Sequence, residues 1–325
     1  MSSSQAAERP LSTPVTGHYS GSSDPTVWFH AHYERAAREI VEFFDSDGIS
    51  LTGKRLADIG CGDGIIDLGL VAQAEPASLV GFDVVSTDTD HLCRLARAAG
   101  VELAGDALPA ALSFVTSEEA RLPWPDRSFD YALSWSAFEH VLEPVPLLRE
   151  VHRVLADNGI LFVQLWPFYD SEHGSHLMDW FPEGFAPLRY NDEEILRRMQ
   201  AGGRPGAAPG MYEAYRTLNR ITADGLHAAL RMAGFRVVKL QLQSETVHVP
   251  DEARDLPPSR IGIGGIKLLA IKDRLRATTV RARLESTGWA PGGLAALGRA
   301  YAVRTLRGAL NRADRKLAQL ATRSR

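Results

Sequence analysis

Three glycines, Gly60, Gly62 and Gly64, alternate directly behind the apolar stretch Leu56-Ala-Asp-Ile59. Glycine tolerates positive φ and puts no side chain between the backbone and a ligand. A helix that starts after such a turn presents unpaired N–H groups and the positive end of its dipole. That arrangement suits the carboxylate and ribose end of a nucleoside ligand. Acidic residues follow at telling intervals. Asp58 lies within the stretch itself, and Asp83 stands nineteen residues after Gly64. A carboxylate at that distance, on the end of the next strand, can accept both ribose hydroxyls. Glu118 and Glu119, followed by Ala120, could take the exocyclic amine of an adenine. A dinucleotide-binding turn uses Gly-x-Gly-x-x-Gly; here the third glycine is missing at that offset and Asp58 is surplus. A nicotinamide ligand is therefore the rival reading.

Side chains suited to proton transfer sit elsewhere. Among ten histidines, His140, His173 and His176 stand out by position, with Asp179 three residues beyond His176. Neutral imidazole is the default proton acceptor near pH 7. The His-x-x-His spacing of 173 and 176 is compatible with a metal, but the expectation is no metal. The two cysteines, Cys61 and Cys93, form no Cys-x-x-Cys pair, so neither a disulfide framework nor a multi-cysteine zinc site is available. Cys61 reads as a small buried residue of the glycine turn.

Elements must position these groups. Apolar strands are expected over Arg55–Ile59, Ser78–Asp83, Leu112–Thr116, Phe129–Trp135 and, after an Asn158-Gly159 turn, Ile160–Trp166. Helical periodicity falls at Tyr33–Phe44, Ile65–Val71, His91–Ala99, Val145–Leu155 and Leu226–Met232. Extended stretches cover Arg236–Val249 and Ile266–Ile271. Alternation at this spacing predicts an α/β fold, a doubly wound, mostly parallel sheet covered on both faces. From Trp166 to Asn219 the rhythm breaks. The segment carries Pro, Gly, His and aromatic residues, with one helix near Glu193–Met199. Coming after a sheet strand, it belongs above the carboxyl edge, where open α/β sheets bind ligands. We expect an inserted lid over about 167–220. Its Trp166, Phe168, Tyr169, Trp180, Phe181 and Tyr190 could face a sugar or planar acceptor or simply pack. Trp28, His30, His32 and Tyr33 could close over the ligand.

The ordered set Asp58–Gly64, Phe82-Asp83, Glu118–Asp130, Phe138–Val141 and Leu148–Leu155 resembles class I S-adenosylmethionine-dependent methyltransferases, and within them the methyltransferase type 11 group. The resemblance covers about Tyr33 to Trp166 well. It implies a seven-stranded Rossmann-like sheet and S-adenosyl-L-methionine as cofactor. It places Asp58, Gly60, Cys61 and Gly62 by the methionine part, with Ser134 and Trp135 beside them. Asp83 would bind the ribose, and Glu118, Glu119 and Ala120 would surround the adenine. Methyl transfer to a hydroxyl requires a base, and the candidates are His176, then His173, with His140 third. The expected reaction is methylation of a small-molecule, sugar or glycan-precursor hydroxyl. Two alternatives stand beside it: an N- or C-methyltransferase of a lipid-like or quinone acceptor, and a non-catalytic cofactor-binding module.

Composition bounds the rest. The chain has 325 residues, is 45% hydrophobic and carries a net charge of −4. From Ile271 onward, thirteen Lys/Arg face three Asp/Glu, leaving +10 there and −14 elsewhere. Val303, Leu306, Leu310, Ala313, Leu317 and Leu320 make an apolar helical stripe among these arginines. Residues 272–325 thus read as a basic helical tail, a candidate for peripheral membrane or homo-oligomer contact. The acidic body argues against nucleic acid. Residues 1–27 read as a flexible leader without a signal-peptide core, and 28–271 as the catalytic domain. A cytoplasmic, at most membrane-peripheral, location is expected.

Overall fold

A computed structural model describes residues 25–202, 208–244 and 248–272. The basic tail and most of the leader lie outside the described residues. Strands β1 (Arg55–Ile59), β2 (Ser78–Asp83), β3 (Leu112–Thr116), β4 (Phe129–Leu133), β5 (Leu155–Leu165), β6 (Phe235–Ser244) and β7 (Ile263–Lys272) form one sheet in the order β3-β2-β1-β4-β5-β7-β6. The first five run parallel, and β7 inserts antiparallel between β5 and β6. This is the doubly wound, mostly parallel seven-stranded sheet anticipated above. Its inner strands are continuous apolar runs because helices cover both faces. In β1 every residue after Arg55 is buried.

The helices are α1 (Pro25–His30), α2 (Ala37–Asp45), α3 (Ile65–Ala74), α4 (Thr89–Ala98), α5 (Pro144–Val154), α6 (Ala186–Arg189), α7 (Asp192–Ala201), α8 (Ala208–Thr217), α9 (Ala223–Met232) and α10 (Pro258–Ile261). Side-chain caps start three of them. Asp88 accepts from the His91 N–H, Asn191 from that of Glu194 and Thr222 from that of Gly225, at 2.8, 2.9 and 3.0 Å; each satisfies an orphan donor of the first turn. The apolar positions of α5, Leu147, Leu148, Val151 and Val154, are all buried. They pack with Phe82, Phe129, Leu161 and Leu230 in the main core, where each large side chain contributes about 1.5–3 kcal/mol.

Some boundaries differ from expectation. β5 begins at Leu155, not Ile160. Phe129 pairs with Leu155 and Tyr131 with Ile160, so the Asn158-Gly159 segment is absorbed as an irregularity inside the strand. Val249 lies outside β6 among the described residues. Helices α1 and α8 were not legible. Pro209 and Gly210 in the first turn of α8 read locally as helix breakers, although proline is tolerated there because the first-turn N–H groups have no intrahelical partner.

Between β5 and α9 lies the inserted segment, containing α6, α7 and α8. It builds its own core from Tyr169, Leu177, Phe181, Ile195, Met199 and Tyr215. Tyr169 stacks on Tyr215, with ring centroids 6.1 Å apart, and Arg198 lies over the Tyr190 ring at 3.9 Å. Much of the aromatic content is therefore spent on packing. Phe168 belongs to the main core.

The described chain falls into two units, residues 25–41 with 51–272, and residues 42–50. The short unit turns on itself through backbone bonds from Gly48 to Asp45 and from Ile49 to Phe44. Among the described residues no helix is long and apolar enough to cross a membrane.

Candidate active site

The winding reverses between β1 and β4, which is where open α/β sheets form a crevice at their carboxyl ends. Four strand ends meet there. They carry the glycine turn, Asp83, the turn after β3 and residues 134–141.

All three glycines of the turn have positive φ, at 78°, 55° and 75°. Their reasons differ. A Cβ on Gly60 would come within 2.4 Å of the Ala137 Cβ, and one on Gly64 within 2.5 Å of the Phe114 ring. At Gly62 a Cβ would meet nothing within 4 Å. The outer glycines serve packing, while the middle one leaves an open face. Asp83 turns back onto the same place. Its Oδ2 accepts the Gly62 N–H at 2.9 Å and its Oδ1 the Val85 N–H at 3.0 Å, and a carboxylate has further lone pairs to offer. The Ser117 N–H donates to the Asp83 carbonyl at 2.8 Å, bringing Glu118, Glu119 and Ala120 to the neighbouring strand end. Glu118 and Glu119 are exposed and Ala120 half-buried. An open glycine face beside a carboxylate with further lone pairs to offer fits S-adenosylmethionine.

The other expected cofactor residues are more deeply placed. The buried Ser134 hydroxyl donates to the Ile59 carbonyl at 2.9 Å, lacing β4 to β1. Trp135 is 8% exposed and stacks on Phe162 at 6.4 Å. The Cys61 thiol is buried, lies 3.7 Å from the Thr87 hydroxyl, and is pushed far up by loss of water. That makes it an inert wall of the turn. At the N-terminus, the Trp28 indole N–H donates to Asp63 of the glycine turn at 3.1 Å, and the His32 ring lies 3.7 Å from that of Trp28.

Asp58 is fully buried and faces Asp67, a residue of α3 that sequence reasoning missed. Its only signal was one carboxyl in an otherwise apolar helix. Burial pushes Asp58 up to about 7, and burial with the neighbouring Asp58 charge raises Asp67 well above the carboxylate range. The folded chain thus holds more protons than the unfolded one above about pH 4. Stability therefore falls as pH rises from there through about 7. Asp67→Asn removes one of the two titrating groups and keeps a hydrogen-bond donor. It is expected to stabilise the ligand-free protein at pH 8 by about 1–3 kcal/mol and to have much less effect at pH 4. Thermal unfolding at both pH values checks this; an unchanged or lowered melting point at pH 8 refutes it.

The histidines separate. His173 lies beside Glu172, its Nε2 3.9 Å from the carboxylate, in a small cavity lined by Trp166, Ser171, Ile261 and Gly264. His140, on the 3-10 turn Phe138–His140 after β4, meets His176 of the inserted segment, their ring centroids 5.6 Å apart. Asn219 holds this turn, its amide donating to the carbonyls of Phe138 and Val141 at 2.6 and 2.7 Å while its own N–H donates to the Glu139 carbonyl. His140 keeps an exposed edge, but crowding holds its pKa below the usual value, against the pull of Asp83. Glu139 belongs to the Phe138–Val141 stretch. Its carboxyl is buried, and loss of water pushes it up to about 8.

Residues 28–240 match the family described as methyltransferase domain. A malonyl-[acyl-carrier protein] O-methyltransferase of Geobacter sulfurreducens is 26% identical over 81% of this chain and 87% of its own length. The cycloartenol-C-24-methyltransferase 1 of Oryza sativa subsp. japonica is 28% identical over 74% of the chain and 60% of its own. A solved S-adenosylmethionine-dependent methyltransferase of Aquifex aeolicus is 15% identical over 77% of this chain and all of its own, with a TM-score of 0.43.

Proposed function

The chain belongs to the methyltransferase domain family and uses S-adenosyl-L-methionine, and on that premise we propose that it methylates a hydroxyl or other acidic oxygen of a small or lipid-like acceptor, with His140 receiving the acceptor's proton. The observation that carries this reading is the meeting of His140 and His176 at the carboxyl end of β4, within electrostatic reach of Asp83.

The bound cofactor supplies a methyl group activated by a positive sulfur. The chain supplies position, a dry site and a proton acceptor. Gly62 leaves room for the ligand, and Asp83, held by two backbone N–H groups, presents its lone pairs to the ribose hydroxyls. Asn219 fixes the turn that carries His140. A lowered pKa keeps that imidazole neutral at pH 7 and able to take the O–H proton. His176, buried against it, orients the ring. The inserted segment would exclude water. A sugar acceptor is not part of this reading, because Tyr169 and Phe181, on which the sugar expectation partly rests, lie inside the segment's own core. The relatives are named for acyl, sterol and quinone-type chemistry, which favours an apolar acceptor.

The test is product analysis with isotopically labelled cofactor and a panel of hydroxyl, carboxyl and amine acceptors, including acyl and sterol-like compounds. Methyl ethers or esters are expected. Turnover confined to N- or C-methylated products would overturn the assignment. The rate with an active acceptor should fall as the solution turns acid, where an imidazole held below its usual value takes up its proton.

A further inference from the structure

Glu139 is 4% exposed, and neither of its carboxylate oxygens has a hydrogen-bond partner among the described residues. Its backbone is tied down by Asn219, so the side chain cannot relax outward by a simple shift of the turn. A buried, unpartnered carboxylate is costly unless something positive or proton-donating meets it. Two imidazoles lie close to it. One ligand atom each from Glu139, His140 and His176 lies within 4.8 Å of the others.

We propose that Glu139, His140 and His176 form a binding site for a divalent transition-metal cation, with Zn2+, Co2+ or Mn2+ as the fitting class. Two imidazole nitrogens and one carboxylate oxygen suit borderline cations; Mg2+ and Ca2+ prefer oxygen donors throughout. A tetrahedral site with bonds of about 2.0–2.2 Å separates its ligand atoms by roughly 3.4 Å. The three atoms, all within 4.8 Å of one another, must therefore draw in by at most about 1.4 Å. Glu139 and His140 belong to the turn after β4, whereas His176 belongs to the inserted segment, so the cation clamps that segment onto the strand end. His140 is exposed, so the three side chains can be reached from solvent. The His173, His176 and Asp179 set suggested by spacing is not the one assembled: His173 is drawn off to Glu172 and Asp179 is exposed.

An acceptor oxygen entering an open position would lose its proton to the solvent under the influence of the cation; without the cation, His140 takes that proton. The site stands on these three side chains whichever acceptor is methylated, so its test does not read activity. The full-length protein, stripped with chelator, is titrated with Zn2+ by calorimetry and with Co2+ by visible absorption. One equivalent should bind, with Co2+ giving the intense bands of low coordination and a raised melting temperature. Glu139→Gln and His176→Ala should each weaken binding at least 10-fold, while His173→Ala leaves it unchanged. Circular dichroism of each variant confirms that it is folded. Absence of binding by the folded wild-type protein at 1 mM cation, on the order of a negligible affinity, overturns the site. So does equal affinity in wild type, Glu139→Gln and His176→Ala.

Discussion

Replacing His140 with alanine is expected to lower kcat by about 10²- to 10⁴-fold, the usual contribution of a positioned general base, while leaving cofactor affinity within about twofold. The argument is geometric first. His140 sits on the turn that follows β4, its environment is sensitive to the Asp83 carboxylate, and its backbone is held by Asn219. Its lowered pKa makes it a proton acceptor already at neutral pH. The wild-type rate should therefore show an acidic limb, shifted to lower pH than a free imidazole would give, and His140→Ala should lose that limb along with its rate. His173→Ala should turn over normally, since His173 faces Glu172 instead. The measurements are made on chelator-treated protein, so that loss of a cation cannot mimic loss of a base. Turnover of the folded His140→Ala protein within threefold of wild type would remove the base assignment. If chelation alone silences the wild type, activation of the acceptor passes to the cation.

Asp83→Ala is expected to raise the dissociation constant for S-adenosylmethionine by at least about 100-fold. A hydrogen bond to a charged group is worth about 1.5–3 kcal/mol, and the carboxylate offers two to the ribose. The substitution also releases the N–H groups of Gly62 and Val85, so the open face of the glycine turn loses its fixed shape. Asp83→Asn should lie between, because the amide oxygen can replace one acceptor but brings donors where two are not wanted. Isothermal titration with cofactor, alongside thermal unfolding of the free protein, separates lost affinity from lost fold. A dissociation constant within fivefold of wild type would show that the ribose is held elsewhere.

These predictions draw on different layers of information. β1, β2 and β3 were readable residue for residue, because a strand buried on both faces is a short apolar run between turn residues and announces itself locally. The glycine turn and Asp83 were readable for a related reason. Their positions are set by strand length and the register of adjacent parallel strands, which is nearly constant in this fold. Helix α8 was not readable, since its Pro209-Gly210 start resembles a break and only packing of Tyr215 and Ala208 into the segment's core makes it a helix. The same holds for the aromatic residues of that segment: their types were visible, but not whether they faced a ligand or one another.

The catalytic reading shows the division most clearly. By itself the sequence determined that a glycine turn stands at the end of the first strand, with a carboxylate at the end of the second. Those features depend on neighbours in the chain. Only the tertiary structure decided which histidine stands where. It joined His176 to His140 and Glu139, turned His173 toward Glu172, and set Asp67 beneath Asp58. The physical reason is that side chains from separate segments converge only when the inserted segment folds on its own core and is pinned by Asn219 to the turn after β4, and no local spacing encodes that approach.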